Sequence, residues 1–334
     1  MTNKEPKVSI IVPALNEEKN ISKLISSLLK LNYKNYKIIL VLDKNTIDKT
    51  KEIASKFKNK KIKIIQSKKA GSAANRNLGY LESDKDTEYY AFTDSDCYVD
   101  KNWLKSLVNV IEKCKKEILG VGGINPVPKN DSPFAKLIGK IESTLLGGGN
   151  TAQTKISNKI REVISIPNCN AIYRKEVWQK YKQDETLIKG QDGEFNYRIY
   201  KDGGKFIVTP KAIVWHHRHN SLKEYLKRVY NYGIASSKIL KKQKNKIEFI
   251  LSRWYGFLPV IYFISLAILI ILSLSNKIFL GILIAFIIPY IAAILLTTIY
   301  IIFVLKNIES LKTPFILISQ HVAYSLGILK EVLR

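Results

Sequence analysis

Cysteine is scarce in this chain. Three residues, Cys97, Cys114 and Cys169, are too few and too scattered for a disulfide framework or a zinc ribbon, and they fit buried thiols in a reducing compartment. Glycine and proline are sparse too, at 17 and 10 of 334 residues, which excludes collagen-like and low-complexity chains. No G-x-G-x-x-G follows the first apolar run, and no G-x-x-x-x-G-K-S/T occurs anywhere. Dinucleotide hydride transfer and P-loop chemistry are thereby disfavoured. No internal repeat marks a solenoid. Acidic residues are short as well: 28 Asp and Glu stand against 54 Lys and Arg, a net charge of +26. Such an excess suits a nucleic-acid binder, an anionic membrane surface or a phosphorylated substrate, and the apolar pattern must choose.

Charge is nearly missing from Trp254 to Leu305, where Lys277 stands alone. It divides two apolar runs, 254–276 and 278–305, each longer than the ~20 residues a helix needs to cross hydrocarbon. A third stretch, 314–330, carries Gln320 and His321 and reads equally as a third span or an interfacial helix. Lys238, Lys241, Lys242, Lys244, Lys246 and Arg253 precede the first span with no acid among the lysines up to Lys246. Positive-inside bias then expects everything before it in the cytoplasm, on a multi-pass protein of the cell membrane. The start of the chain does not look like a leader: Met1–Lys7 is polar and Val8–Val12 is short. The expected division is a cytoplasmic domain over 1–237, a basic juxtamembrane segment over 238–253 and a membrane domain over 254–334. With the basic residues beside spans and no reader motif present, nucleic acid is not an expected partner.

The first 240 residues or so alternate short apolar runs with amphipathic ones. Val8–Val12, Ile38–Leu42, Ile62–Gln66, Tyr89–Thr93 and Leu119–Gly123 read as strands, the first stopped by Pro13. Helices are expected from an Asn16 N-cap to about Leu29, over Asp48–Phe57, over Ser72–Leu81 and over Trp103–Cys114. This alternation predicts an α/β fold around a mostly parallel sheet, with ligands beyond the carboxyl ends of the strands.

Polar residues able to do chemistry follow those strands. Asp94-Ser95-Asp96 suits a hard divalent cation, Mg²⁺ or Mn²⁺, and equally fits a solvated turn. Asp43 could accept N–H donors from a nucleobase or simply cap a turn. Lys68, Lys69 and Arg76 surround a helix start at Gly71, a setting for a diphosphate. Asp192, after Gly190 and Gln191, is either a helix cap or a general base beside an acceptor hydroxyl. Trp215-His216-His217-Arg218-His219 brings three histidines within four residues, and one could complete a metal site on the Asp-Ser-Asp segment.

Seven segments in order resemble the family 2 glycosyltransferases of the GT-A fold: VSIIVPALNEE (8–18), D-K-N-T-I-D from Asp43, KKAGSAANRNLG (68–79), TDSD (93–96), PNCNAIYRKEVW (167–178), GQDGEFNYRI (190–199) and VWHHRHNSLKEYLKRVYNYG (214–233). The resemblance implies an inverting, metal-dependent enzyme using a UDP- or GDP-linked sugar. It implies that Pro13, Asn16 and Glu17 line the nucleotide pocket, that Asp43 meets the base, and that Arg76 and Lys69 lie near the diphosphate. It matches Asp94 and Asp96 to the D-x-D, with Asp96 the direct metal ligand, and His216 to a histidine that ligates the metal or touches phosphate. It places Asn170, Arg174 and Gln191 on the sugar and acceptor side and makes Asp192 the base.

The chain departs from that family at three points. Lys44-Asn45-Thr46 stands where two Asp and a Gly-Ser are usual, and Gln191 replaces the acid before Asp192. The Q/R-x-x-R-W signature of processive members is absent, since Ile250 precedes Arg253-Trp254 at the first position. The expected acceptor is membrane-held, a lipid-linked oligosaccharide being extended. A polyprenyl-phosphate glycosyl synthase, a glycolipid synthase, a nucleotidyltransferase and a catalytically silent scaffold are the alternatives.

Overall fold

Short runs, most of them apolar and buried, become the strands of one nine-stranded sheet in the computed structural model, which describes residues 5–149 and 159–334. The strands are β1 Val8–Ala14, β2 Tyr36–Leu42, β3 Ile62–Gln66, β4 Tyr89–Thr93, β5 Cys97–Val99, β6 Ile118–Ile124, β7 Arg161–Val163, β8 Asn170–Arg174 and β9 Lys205–His216. They lie in the order β3-β2-β1-β4-β8-β6-β9-β5, with β7 also pairing β9. The pairs β1–β2, β1–β4, β2–β3 and β6–β9 are parallel, whereas β8 runs against both β4 and β6, and β5 and β7 run against β9. The sheet is therefore mixed, with β1, β2, β3, β4, β6 and β9 pointing the same way.

The helices are α1 Ile21–Leu29, α2 Thr50–Ser55, α3 Ser72–Leu81, α4 Trp103–Lys113, α5 Pro133–Glu142, α6 Leu145–Gly148, α7 Lys175–Lys180 and α8 Gln191–Lys201. They continue with α9 Leu222–Lys242, α10 Lys246–Ser252, α11 Trp254–Ser273, α12 Lys277–Leu305 and α13 Thr313–Val332. Alternation along β1 sends Val8, Ile10 and Val12 to one face, against α1 and α4, and Ile11 to the other, against Phe92, Trp178 and Phe195. Helix α1 offers that first face Ile21, Leu24, Ile25 and Leu28, the i, i+3, i+4, i+7 stripe of a helix packed on one side.

Two sequence expectations are corrected here. Pro13 does not end β1; the strand continues through Pro13, opposite Val41, to Ala14, opposite Leu42. Asp43 donates its N–H to the Ala14 carbonyl, so the Ala14 backbone faces β2. The missing N–H of Pro13 then falls on the β4 side, where pairing stops at Ile11 and Phe92. Asn16 does not cap α1 either. It sits at φ 54, a left-handed conformation that Asn tolerates, and its side chain accepts the Ile47 N–H. The helix starts later because the Glu17 carbonyl takes both the Asn20 and Ile21 N–H groups.

The chain divides into two compact units. One holds the sequence up to Pro128 and its return as far as His217; the other takes Lys129 onward and everything from Arg218. The expected boundary at residue 237 falls inside α9, which runs through it unbroken. In the second unit α5 buries Leu137, Ile138 and Ile141 against Tyr225, Ile294, Ile301 and Ile316. Helices α11 and α12 are long and apolar enough to cross a membrane, and only 11% and 6% of their most apolar windows are buried. Helix α13 instead lies along α9 at close range: a Cβ on Gly233 would stand 2.2 Å from the Tyr324 carbonyl oxygen, and one on Gly327 2.1 Å from that of Tyr230. The two polar residues of α13 are partnered inside the unit. Gln320 donates to the Gly147 carbonyl and accepts from the Tyr225 hydroxyl, while the His321 ring lies 2.9 Å from both the Tyr290 hydroxyl and the Leu146 carbonyl.

Candidate active site

Six strands pointing one way bring their carboxyl ends to one edge of the sheet, and the turns that follow them carry the polar residues. Asp43 follows β2 and is almost fully buried. Its carboxylate accepts from Gly71 N–H at 2.7 Å, Asn75 Nδ2 at 2.8 Å and Asn45 N–H at 2.9 Å. Three of roughly four acceptor positions are thus used in pinning the start of α3 beneath the edge. Gly71 is required there by its φ of 102. Asn75 Oδ1 and Arg76 Nε are buried beside this carboxylate and this helix start with no hydrogen-bond partner among the described residues.

Arg76 points from α3 to Asp94, which follows β4; Nη2 donates to Oδ1 at 2.7 Å. Asp96 comes two residues later, and the β5–β9 ladder sets Cys97 opposite His216. His216 Nε2 lies 3.4 Å from Asp96 Oδ2. Burial pushes the Asp96 carboxyl up, but the imidazole outweighs it and holds the group well below the usual carboxylate range. Glu17, after β1, faces the same acids. Burial raises its pKa, and the charges of Asp96 and Asp94 add to the rise against an Asn20 hydrogen bond that lowers it. Gathering Glu17, Asp94 and Asp96 around one spot is unfavourable without positive charge between them.

Asp96, Cys97 and His216 offer ligand atoms within 4.8 Å of one another. The carboxylate oxygen suits a hard divalent cation, and an imidazole nitrogen beside it suits Mn²⁺ better than Mg²⁺. The Cys97 thiol is different: burial pushes its pKa well above the ordinary thiol value, so it stays protonated beside a hard ion. Sequence reading had assigned Cys97 only to the core; its position directly after the D-x-D was the overlooked signal.

Helix α8 closes the site from the far side of the chain. Gly190, at φ 76, starts it, and the Gln191 amide lies 3.3 Å from Ser72 at the start of α3 while donating to the Leu187 carbonyl at 2.8 Å. The two helix starts therefore meet. Asp192 accepts the Gly193 N–H on Oδ1 at 2.8 Å, and no described group hydrogen-bonds its Oδ2.

Three expected site residues do other work. Lys69 is exposed and ion-paired at 2.7 Å with Glu185, a residue Asn77 also holds. Asn170 is fully buried; it accepts from Trp103 Nε1 at 2.8 Å and donates to Asn125 Oδ1, Ile124 O and Ala212 O. It locks four segments together and leaves nothing for a sugar. Arg174 lies at the opposite edge of the sheet, donating to the carbonyls of Ile118, Ile111 and Cys114 at 2.9, 2.8 and 3.3 Å. The place of Arg174 follows from the direction of β8, which runs against its neighbours, so that only its first residue, Asn170, reaches the site edge. Replacing Arg174 by Ala is expected to lower stability by about 2 kcal/mol, from lost charge-assisted hydrogen bonds, while the folded fraction keeps the nucleotide affinity of the parent. Thermal unfolding beside nucleotide titration checks this; weakened affinity with normal unfolding would return Arg174 to the pocket.

A model of glycosyl transferase family 2 matches residues 9–182. A dolichyl N-acetyl-alpha-D-glucosaminyl phosphate 3-beta-D-2,3-diacetamido-2,3-dideoxy-beta-D-glucuronosyltransferase of Methanococcus voltae is 29% identical over 341 residues, covering 98% of this chain and 97% of its own. Glycosyltransferase AglE of Haloferax volcanii is 28% identical over 276 residues, 78% of this chain and 84% of that protein. Among solved structures, the mannosyltransferase PcManGT of Pyrobaculum calidifontis, in complex with GDP-Man and Mn²⁺, superposes with a TM-score of 0.61 at 13% identity, covering 98% of this chain and 88% of its own. TarS 1–349 of Staphylococcus aureus with UDP-GlcNAc gives 0.52 at 18% identity, covering 74% of this chain and 70% of its own. These two likenesses establish the shared GT-A fold.

Proposed function

Because this chain belongs to glycosyl transferase family 2, we propose that its sheet-edge site moves one sugar from a UDP- or GDP-sugar onto a sugar already linked to a membrane lipid. The observation that supports this reading is the gathering at the carboxyl ends of the strands of Arg76 with Asp94 and of Asp96 with His216, with the start of α8, which carries Asp192, held against the start of α3. Asn75 Oδ1, buried and unpartnered beside Asp43, suits a base N–H, and Arg76 Nε, likewise unpartnered, suits a phosphate oxygen. Pro13, Asn16 and Glu17 form the remaining wall of the nucleotide pocket.

The acceptor hydroxyl attacks the anomeric carbon from the face opposite the phosphate. The new glycosidic bond forms as the carbon–oxygen bond to phosphate breaks, and the nucleoside diphosphate leaves with that electron pair. Asp192 Oδ2 receives the hydroxyl proton, and the configuration inverts. Arg76 meets the charge growing on the diphosphate, drawn from Asp94 or shared with it. Asp96 and His216 would hold the divalent cation, which supplies further positive charge to the leaving group when bound. Gln191 positions the start of α8, and with it Asp192, against α3.

The acceptor assignment draws support from the Methanococcus voltae relative, named for transfer onto dolichyl N-acetyl-alpha-D-glucosaminyl phosphate and matched along nearly its whole length. Extension is therefore favoured over a polyprenyl-phosphate synthase. Orientation draws support from the basic residues 238–253 before α11 and from Lys306 and Lys312 after α12, with Lys277 alone at the intervening turn. A hairpin of two spans with these flanks keeps the catalytic unit cytoplasmic. Thermal unfolding of the purified chain with UDP and GDP, each with and without Mn²⁺, tests the donor side. One nucleotide at 100 times its Kd should stabilise by about 2.7 kcal/mol, and only with the cation; no response to either would overturn the reading.

A further inference from the structure

Of the three described residues grouped at the cation site, Cys97 is the one whose side chain sugar transfer leaves unused. Its Sγ stands 3.5 Å from Asp96 Oδ1, and His216 Nε2 stands 3.4 Å from Asp96 Oδ2. One ligand atom from each of the three residues lies within 4.8 Å of the other two. The frame is rigid, since Cys97 on β5 and His216 on β9 are direct partners in the ladder and Cys97 is only 2% exposed. A tetrahedral ion with metal–sulfur bonds of about 2.3 Å and metal–nitrogen or metal–oxygen bonds of about 2.0–2.2 Å sets its ligand atoms roughly 3.3–3.6 Å apart. The sulfur–oxygen and nitrogen–oxygen separations, each to a different oxygen of Asp96, fall in that range; for one oxygen to serve the ion the carboxylate must turn and the group draw in from its 4.8 Å spread.

We propose that this site also takes a thiophilic divalent cation of the zinc class, held by Asp96 oxygen, Cys97 sulfur and His216 nitrogen, and that such an ion blocks the hard cation used in transfer. The inference rests on the metal reading of Asp96 and His216 and adds a third ligand of different softness. Mn²⁺ and Mg²⁺ prefer oxygen ligands and leave the thiol protonated. A zinc-class ion forms a bond to sulfur, and the thiol proton passes to water; no electron is transferred. The bound set then withholds Asp96 and His216 from Mn²⁺, so inhibition is competitive with Mn²⁺ and not with the sugar nucleotide.

Co²⁺ titrated into the purified full chain in detergent reads the thiolate directly. The expected result is a near-ultraviolet sulfur-to-cobalt charge-transfer band that saturates at one ion per chain and is quenched by Zn²⁺. The band should vanish in Cys97→Ser and in Cys97→Ala, and persist in Cys169→Ser, whose parent sulfur is held by Asn125. Zinc affinity in the Cys97 variants should fall by at least the roughly 10–100-fold that loss of a residue merely supporting a ligand costs. Mn²⁺ binding, followed by the paramagnetic resonance of free Mn²⁺, should survive in both. A chain that binds Mn²⁺ but gives no cobalt–sulfur band, or whose band survives Cys97→Ser, overturns the inference and spares the transfer reading. A cobalt–sulfur band without Mn²⁺ binding supports the thiolate site and removes the metal step of the transfer reading instead.

Discussion

Asp192→Asn is expected to lower kcat by about 10²–10⁴-fold, the usual worth of a positioned general base, with nucleotide affinity unchanged. The substitution isolates chemistry from structure. Asn keeps an oxygen for the Gly193 N–H that Oδ1 now accepts, so the first turn of α8 stays as it is. What it removes is the basic Oδ2, to which no described group is hydrogen-bonded. The Gln191–Ser72 contact that sets α8 against α3 does not involve the changed side chain. Steady-state kinetics with the donor varied, alongside nucleotide titration, separates the two effects. A variant that retains more than a tenth of the parental kcat would take the base role away from Asp192.

Asp96→Asn should be nearly as damaging, by a different route. The carboxylate is the charged partner of His216 and the hardest ligand in the cation group. Its loss should abolish Mn²⁺ binding and cost about 10²–10³-fold in kcat, the range seen when one preorganised charge-stabilising group is removed. The β5–β9 ladder is backbone-held, so the fold should persist. Free Mn²⁺ counted by paramagnetic resonance during titration checks the binding half. Parental Mn²⁺ affinity in the variant would move the cation elsewhere, with Glu17 and Asp94 the next oxygens to test.

Parts of this architecture could be read directly from residue order. Strands β3 and β4 and helix α3 lie where the pattern puts them, because each is a short run bounded by polar turns. The nearness of Asp96 and His216 is legible because a D-x-D after an apolar strand and a histidine cluster after another are local signals. What escaped depends on partners far along the chain. Asn16 has the chemistry of a cap, yet its oxygen serves Ile47, 31 residues on. Nothing local says that β8 reverses direction and so sends Arg174 to the opposite edge, or that Asn170 is taken up by Trp103, Asn125, Ile124 and Ala212, 42 to 67 residues away. Cys97 read as core because it is core; only its pairing with β9 brings its sulfur to His216. In the second unit, the apolar 314–330 stretch could not reveal that Gly233 and Gly327 let α13 pack tightly along α9.

The most direct test of the central claim follows the sugar itself. Membranes containing the full chain, supplied with a lipid-linked monosaccharide and Mn²⁺, are incubated with radiolabelled UDP- and GDP-sugars, with Asp192→Asn membranes as the blank. The account predicts that one donor sends label into the organic-extractable fraction, in a product more polar than the supplied lipid, and that the blank stays dark. Equal label in the blank, or no label from any donor to a chain that binds the nucleotide, would contradict it.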